Sequence, residues 1–176
     1  MLIPKERYGD HGLDASDAQL PRKLEAVEHR IRAFTRNRFQ VRSARIEARS
    51  KGGVLLGASS FFKLEDTVQI TCSGINDGLY VVKAIDLLQE VMEFDHPLAN
   101  ASTNRATLVR YPPDVVAGAI GILEYEKAAP LSKASVASET ISRHAVSYRA
   151  VSAADSLAGY PPEVTAFLKP YMKACF

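Results

Sequence analysis

The sequence has little net charge, few cysteines and no long apolar segment, and each shortage argues against a class of protein. A net charge of +2 over 176 residues is too small for a chain that binds nucleic acid or a membrane over its whole surface, because such proteins carry a large or clustered basic excess. The two cysteines, Cys72 and Cys175, are far apart. Their spacing suits neither a metal nor a redox site and favours free thiols in a reducing compartment.

The apolar runs are far shorter than a membrane span, and the first residues lack the basic and apolar regions of a signal peptide. We therefore expect a protein that is made and kept in the cytoplasm and has no membrane partner. The hydrophobic share of 47% and the charged share of 24% are those of a globular chain, so disorder is not expected.

Motifs that carry known chemistry are also missing from the sequence. The segment 52–59 has the glycine spacing of a phosphate-binding loop, but Ala58 stands where that motif needs a lysine, so we interpret the segment as a turn. No Gly-x-Ser-x-Gly elbow is present. No histidine has a partner one helical turn away or a neighbouring cysteine pair; the four are His11, His29, His96 and His144. We expect no catalytic residue, no metal and no cofactor.

Positive charge is concentrated in one part of the chain. Between Arg22 and Lys51, ten basic residues accompany only three glutamates. Two interpretations stay open. Either the basic residues form the solvated faces of a helix and a strand, or they form a surface that contacts duplex DNA in a channel or an acidic partner protein. The candidate contacts are Arg36, Arg38, Arg42, Arg45, Arg49 and Lys51.

Three helices are predicted. The first extends from about Ala18 to Arg36, where apolar residues recur at steps of four and three; these residues are Leu20, Leu24, Val27, Ile31 and Phe34. The second begins in the Tyr111-Pro112-Pro113-Asp114 segment, because proline suits a first helical turn, and ends near Ala128. The last runs from Pro161 to about Lys173.

The intervening residues 41–110 show the two-residue period of strands. Ala44, Ile46 and Ala48 alternate with charged residues, and Val68, Ile70 and Cys72 alternate with polar ones. The segment 73–78 is rich in turn residues and predicts a tight reversal. Further strands are predicted at 79–85, 87–94 and 105–109, which together indicate a small sheet or barrel.

The C-terminal part favours contact with a partner. Residues 139–151 suit an extended arm or a hairpin, which has an unpaired edge unless a partner supplies a strand. The last helix carries more apolar surface than its own length can cover, so it packs either on the first helix or on another protein. Its apolar residues, with the terminal Phe176, are Val164, Phe167, Leu168, Tyr171 and Met172.

Together these elements predict an α+β fold. Residues 1–40 and 111–176 form a small helical bundle with an extended C-terminal arm, and residues 41–110 form an inserted small antiparallel β-sheet or barrel.

The order of these parts resembles the head-tail connector (adaptor, or neck) proteins of tailed bacteriophages, in the subfamily with a β insertion between the first two helices. The resemblance spans most of the chain and is carried by five segments: 33–39 (AFTRNRF), 66–80 (DTVQITCSGINDGLY), 109–115 (VRYPPDV), 138–148 (SETISRHAVSY) and 157–164 (LAGYPPEV).

That resemblance implies a structural subunit without catalysis, which forms a ring of about twelve copies under the portal of a DNA-filled head. Its other partners would be a downstream neck or tail-completion protein and duplex DNA that passes through the lumen without sequence recognition. The location implied is the head-tail junction of a virion assembled in the bacterial cytoplasm. The last helix and Phe176 would bind the portal. The arm would contact the neighbouring subunit through Ile141, Arg143, Val146 and Tyr148.

A rival hypothesis is a small nucleic-acid-binding module. It would use the β insertion as a platform on which bases stack, and only Phe61, Phe62 and Tyr80 could provide the aromatic rings.

Overall fold

The computed structural model describes residues 2–128, 138–141, 144–147 and 160–174. The chain divides into two compact units, of which the first comprises Met1–Pro21 and Asn37–Tyr111 and the second Arg22–Arg36 and Pro112–Phe176. The sequence had assigned residues 1–40 to a helical body, whereas the structure groups the first 21 residues with the strands.

The strands of the first unit form a closed antiparallel barrel in the order β1-β2-β5-β4-β3-β6. They are β1 (Gln40–Lys51), β2 (Val54–Leu56), β3 (Thr67–Thr71), β4 (Gly78–Asp86), β5 (Val91–Phe94) and β6 (Ala101–Val109). Pairing of β1 with β6 closes the barrel, and a closed barrel has no open strand edge.

This architecture shows that the predicted fold class is wrong. We predicted a small helical bundle with a small inserted antiparallel sheet or barrel, but the six-stranded barrel is the main body and not an insertion, and the described residues contain three short α-helices. The physical reason is that a closed barrel fills its own interior from all of its strands, so it does not need helices to cover it.

Alternate residues of the strands point into the barrel and form its core. The buried members of this core are Ala44, Leu55, Phe62, Val68, Ile70, Val82, Met92, Phe94, Leu98, Ala106 and Leu108, with Ile46 and Ala48 partly buried against them. The predicted alternation is thus confirmed for these positions of β1 and β3. It is wrong for Cys72, which is exposed and has a positive φ of 63°, because β3 ends at Thr71.

The turns at the ends of the strands follow local side-chain chemistry. In the predicted reversal between β3 and β4, the backbone N–H groups of Ser73 and Gly74 donate to Asp77 Oδ1 at 2.9 and 3.1 Å. The predicted strand over residues 87–94 is shorter than expected, since residues 87–90 form a turn in which Glu90 has a φ of 54°.

The chain enters and leaves the barrel at neighbouring points. Gln40 at the start of β1 lies opposite Val109 at the end of β6. Just outside this pair, the Arg110 N–H donates to the Phe39 carbonyl at 3.0 Å. The rings of Phe39 and Tyr111 are 4.9 Å apart, so aromatic packing adds to the backbone bond between the two chain segments.

The second unit contains all but the first two residues of α1 (Leu20–Thr35), together with α2 (Pro113–Ala128) and α3 (Pro162–Thr165). α3 continues as a 3-10 helix, Ala166–Tyr171. The first two helices lie within two residues of their predicted ends. Their buried faces are formed by Leu24, Val27 and Ile31 on α1 and by Val115, Ala119 and Ile122 on α2. None of the helices in the described part of the chain has the length and apolar character needed to cross a membrane.

Two further strands lie in the predicted arm. Strands β7 (Ser138–Ile141) and β8 (His144–Ser147) pair antiparallel, with Ser138 opposite Ser147 and Ile141 opposite His144. They form a separate two-stranded sheet. Among the described residues, no third strand pairs with either of them.

Candidate functional site

The six predicted basic contacts lie on β1 or just before it, and all six side chains are exposed: Arg36, Arg38, Arg42, Arg45, Arg49 and Lys51. Along β1, Arg45, Arg49 and Lys51 alternate with residues that point into the barrel, so their side chains lie on its outer face. The structure thus brings these three cations together on one strand.

The charge of this face is only partly neutralised within the barrel. Glu47 pairs with Arg105 of β6, with Nη2 and Oε1 2.7 Å apart, and this hydrogen bond raises the pKa of Arg105. Arg45 donates to the Thr107 hydroxyl at 3.1 Å. In the described part of the chain, neither Arg49 nor Lys51 has an ion pair. The outer face of β1 therefore keeps a positive charge.

Arg49 and Lys51 border an open groove of about 440 Å³, here called the basic groove. Ser50, Leu56, Asn100, Ala101 and Ser102 complete its lining. The groove offers two cations, an amide, a hydroxyl and the side chain of Leu56, which is 39% exposed. This combination suits a ligand that carries both negative charge and an apolar group.

The wall of the basic groove is fixed by a buried hydrogen-bond network. The Ser50 hydroxyl donates to the Ala99 carbonyl at 2.6 Å and accepts from the side-chain amides of Asn76 and Asn104 at 3.2 and 3.1 Å. The Asn76 amide also donates to Asn104 Oδ1 at 2.9 Å. These bonds connect β1, β6 and two loops, so they hold the groove in shape.

Sequence reasoning missed this network, although the sequence contains a signal for it. Ser50 and Asn104 occupy the same alternate positions of β1 and β6 as the core residues Ala44 and Ala106. A polar residue at an inward position of a strand must find hydrogen-bond partners inside the protein, and so it marks a buried polar cluster.

A second surface, here called the acidic tip, comprises Asp86–Glu93, from the end of β4 into β5. Leu88 is 97% exposed and Leu87 is 55% exposed. The N–H groups of Leu88 and Gln89 both donate to Asp86 Oδ1 at 2.9 Å, which gives the turn a defined shape. The tip contains three exposed acids, Asp86, Glu90 and Glu93, and residues 84–104 include no lysine or arginine.

The predicted portal-binding helix packs within its own unit. Leu168 is completely buried, and the ring of Phe167 lies against Gly118 of α2. The Tyr171 hydroxyl donates to both carboxylate oxygens of Asp114 at 2.8 Å. Packing on the first helix was one of the two predicted arrangements of this segment. The structure shows that it packs mainly on α2 instead.

The remaining predicted portal contacts differ in exposure. Val164 is partly buried, and Met172 is 51% exposed. The N–H of Lys173 donates to the Thr35 carbonyl at 2.8 Å, which attaches the end of the segment to α1. Phe176 lies outside the described residues. Leu168 is thus unavailable to a portal while the helix is packed, whereas Met172 is accessible.

A buried tyrosine fastens the start of this segment to α1 and α2. The Tyr160 hydroxyl donates to Glu126 and accepts from Arg30, and Arg30 also pairs directly with Glu126 at 3.1 Å. Burial, followed by the bond to Glu126, raises the pKa of Tyr160 to about 12. A phenol with that pKa stays protonated near neutral pH and is a poor general base, so we assign this cluster a structural role.

The predicted neighbour contacts fall only partly within the described residues. Ile141 ends β7 and Val146 lies in β8, while Arg143 and Tyr148 lie outside the described residues. The structure therefore brings Ile141 and Val146 into one hairpin.

The stacking platform of the nucleic-acid hypothesis is not assembled. Phe61 is 55% exposed, but Phe62 is buried in the barrel core. Tyr80 packs against that core, with its ring 5.6 Å from the ring of Phe94. Of the three rings that this hypothesis could use, only Phe61 is largely exposed, because Phe62 and Tyr80 pack in or against the barrel core.

Among the described residues, no three histidine, cysteine, aspartate or glutamate side chains come together in a way that could hold a metal ion. No protein-family model matches this sequence, and no curated protein matches it.

Proposed function

We propose that this chain is a structural head-tail connector (adaptor) subunit of a tailed bacteriophage or prophage. Copies of it would form a ring under the portal at the head-tail junction of the virion. Duplex DNA would pass through the ring without being read, and a neck or tail-completion protein would bind on the far side. The chain would carry out no catalysis.

The observation that supports this proposal best is the hairpin of β7 and β8. A sheet of two four-residue strands is at most marginally stable alone, and in the described residues neither outer edge is paired. Such an edge is suited to accept a strand from another chain. A ring subunit that reaches along its neighbour needs an element of this kind.

The second support is the resemblance carried by five segments along the chain. Two of them adjoin helices, since Pro113 within residues 109–115 begins α2 and Pro162 within residues 157–164 begins α3. The portal contact proposed here is the exposed part of the C-terminal segment, chiefly Met172 with the partly exposed Val164 and Phe167. Leu168 would support this surface from below.

The proposal is tested by assembly on a portal ring. The full chain is mixed with purified portal of the same phage, and negative-stain images are scored for an added ring. Replacing residues 138–147 by a Gly/Ser linker of equal length is expected to abolish the ring while the barrel still unfolds cooperatively. The matched control replaces residues 129–137 in the same way and is expected to retain the ring.

The portal contact is tested separately by capture on immobilised portal. Met172→Asp is expected to weaken capture by about tenfold, because a half-exposed apolar contact becomes a charge. Glu163→Gln at an exposed position of α3 is the control. Absence of any ring or capture with the unaltered chain would contradict the proposed function.

A nucleic-acid-binding module remains the second candidate, and it is favoured by Arg49 and Lys51, which form no ion pair with any residue that the structure describes. Without an assembled aromatic platform, binding would be mainly to phosphates and would weaken steeply with salt. A gel-shift titration with short single-stranded and duplex DNA at two salt concentrations would detect this. A salt-dependent shift of short single-stranded DNA that is stronger than the shift of duplex DNA would favour the module over the connector.

A further inference from the structure

We infer that the acidic tip of one copy binds in the basic groove of the next copy. This inference rests on the proposed function, because a ring of identical subunits needs a contact between two different surfaces of the chain. Both surfaces belong to the barrel unit, so the contact is additional to the one proposed for the hairpin.

The two surfaces have opposite charge. In the part of the chain that the structure describes, no ion pair involves Arg49 or Lys51 of the groove, or Asp86, Glu90 or Glu93 of the tip. Complementary charges speed the encounter of two surfaces and fix their register. Each surface therefore offers the charge that the other one lacks.

The apolar groups of the two surfaces are also complementary. Leu87 and Leu88 project from a turn that Asp86 holds in shape, so little conformational freedom is lost when they bind. The groove provides carbon surface from Leu56 and Ala101 between its polar groups. Burying the two leucines there would drive association, while the surrounding charges give it specificity.

Within one copy, the strand β2 separates the tip from the groove. β5 is antiparallel to β2, and β2 is antiparallel to β1, so β5 and β1 run in the same direction. The register sets the spacing of the two surfaces, since Leu55 of β2 pairs both with Ser50 of the groove wall and with Met92 of the tip. The tip and the groove are therefore two strands apart on one barrel, and their contact would link two copies.

Two double variants test the contact in the full chain. The tip variant is Leu87→Ser with Leu88→Ser, and the groove variant is Arg49→Glu with Lys51→Glu. Ile75→Ser, at another exposed apolar position, is the control for the tip. Arg22→Glu with Lys127→Glu, which changes the net charge equally at exposed positions of α1 and α2, is the control for the groove.

Sedimentation velocity is measured at low ionic strength over rising protein concentration. The unaltered chain and both controls are expected to self-associate. Each double variant is expected to raise the apparent Kd of self-association by about tenfold or more. Added salt should weaken association of the unaltered chain, because it screens the charges of the two surfaces.

The decisive measurement is an equal mixture of the two double variants. The tip variant keeps an intact groove and the groove variant keeps an intact tip, so the mixture should form dimers and nothing larger. The inference is overturned if the mixture stays monomeric, if the double variants associate as well as the controls, or if the unaltered chain is monomeric throughout.

Assembly on the portal separates this inference from the proposed function. If both double variants still add a normal ring to the portal, the tip-groove contact is refuted and the connector proposal stands. If the unaltered chain neither forms a ring nor binds portal, the connector proposal itself fails. If the groove variant loses only duplex DNA binding and keeps self-association, the groove binds nucleic acid and the inference is refuted.

Discussion

Gly118 of α2 and Phe167 of the C-terminal segment are in direct contact. A β-carbon added at Gly118 would lie 2.4 Å from two carbons of the phenyl ring, which is closer than carbon atoms can pack. The missing side chain of Gly118 therefore allows the ring to lie on the helix.

Substitution of this glycine should disturb the packing of the segment. Gly118→Ala is expected to lower the free energy of unfolding by about 1–2 kcal/mol, since overpacking outweighs the gain in helix propensity. Gly121→Ala is the control, because a β-carbon there has no neighbour within 4 Å, and it should stabilise α2 by about 0.5–1 kcal/mol. Urea denaturation measures both, and equal stabilisation by the two changes would refute the contact.

Removal of the Tyr160 hydroxyl should loosen the start of the C-terminal segment. Tyr160→Phe is expected to cost about 1–3 kcal/mol at neutral pH, because Glu126 and Arg30 lose a buried partner. Tyr171→Phe removes an exposed hydroxyl that binds Asp114 and should cost less. Thermal unfolding compares the two variants, and a larger loss for Tyr171→Phe would contradict the assignment.

The raised pKa of Tyr160 also predicts a dependence on pH. Folding raises this pKa from 10.0 to about 12, so the folded chain binds the phenol proton more tightly than the unfolded chain. The contribution to stability is complete below pH 10 and is lost as the pH rises through the folded pKa. Between pH 9 and pH 11.5, the difference in unfolding free energy between the unaltered chain and Tyr160→Phe should therefore shrink.

The buried amide network should be far more sensitive to substitution than a similar exposed amide. Asn76→Ala removes the acceptor of the Ala99 N–H and leaves Asn104 Oδ1 without this donor, so we expect a loss of about 2–4 kcal/mol. Asn100→Ala removes an exposed bond to the Gly52 N–H and should change stability by less than about 0.5 kcal/mol. Equal losses of unfolding free energy for the two variants in chemical denaturation would show that the buried network stabilises the fold no more than a single exposed hydrogen bond does.

The left-handed backbone at Cys72 predicts a stabilising substitution. Its φ of 63° suits asparagine better than cysteine and is unfavourable for a β-branched residue. Cys72→Asn should therefore raise the free energy of unfolding by about 0.5–1 kcal/mol, whereas Cys72→Val should lower it. Because the side chain is exposed, burial does not complicate the comparison, and the reverse order in urea denaturation would refute the argument.

Local periodicity was enough to predict the helices and most strands, but not how they assemble. The apolar spacing from Leu20 to Ile31 placed α1 within two residues, and the prolines before Asp114 placed the start of α2. Closure of the barrel depends on the pairing of Ile46 with Ala106, which are distant in sequence, and no local pattern specifies that register.

The candidate surfaces were predictable to different degrees. The exposure of the basic residues of β1 was predictable from their charge alone, because a cationic side chain stays in contact with water whichever way its strand packs. Leu87 and Leu88 were instead included in the strand predicted over residues 87–94, whereas in the structure they lie in a turn. The Asp86 side chain, which binds the next backbone N–H groups, was the local signal for a turn.

The bond between Phe39 and Arg110 has a consequence for how such a chain can evolve. The barrel begins and ends at neighbouring residues, so it takes the place of a short loop between the sequences of α1 and α2. Such an insertion is tolerated because the length of a loop has only a weak effect on the entropy lost when its two ends are brought together. A recombination event at these two residues could remove the barrel or exchange it for another module. The helices would then need a new short linker, and residues 1–21, which are grouped with the barrel, would have to change as well.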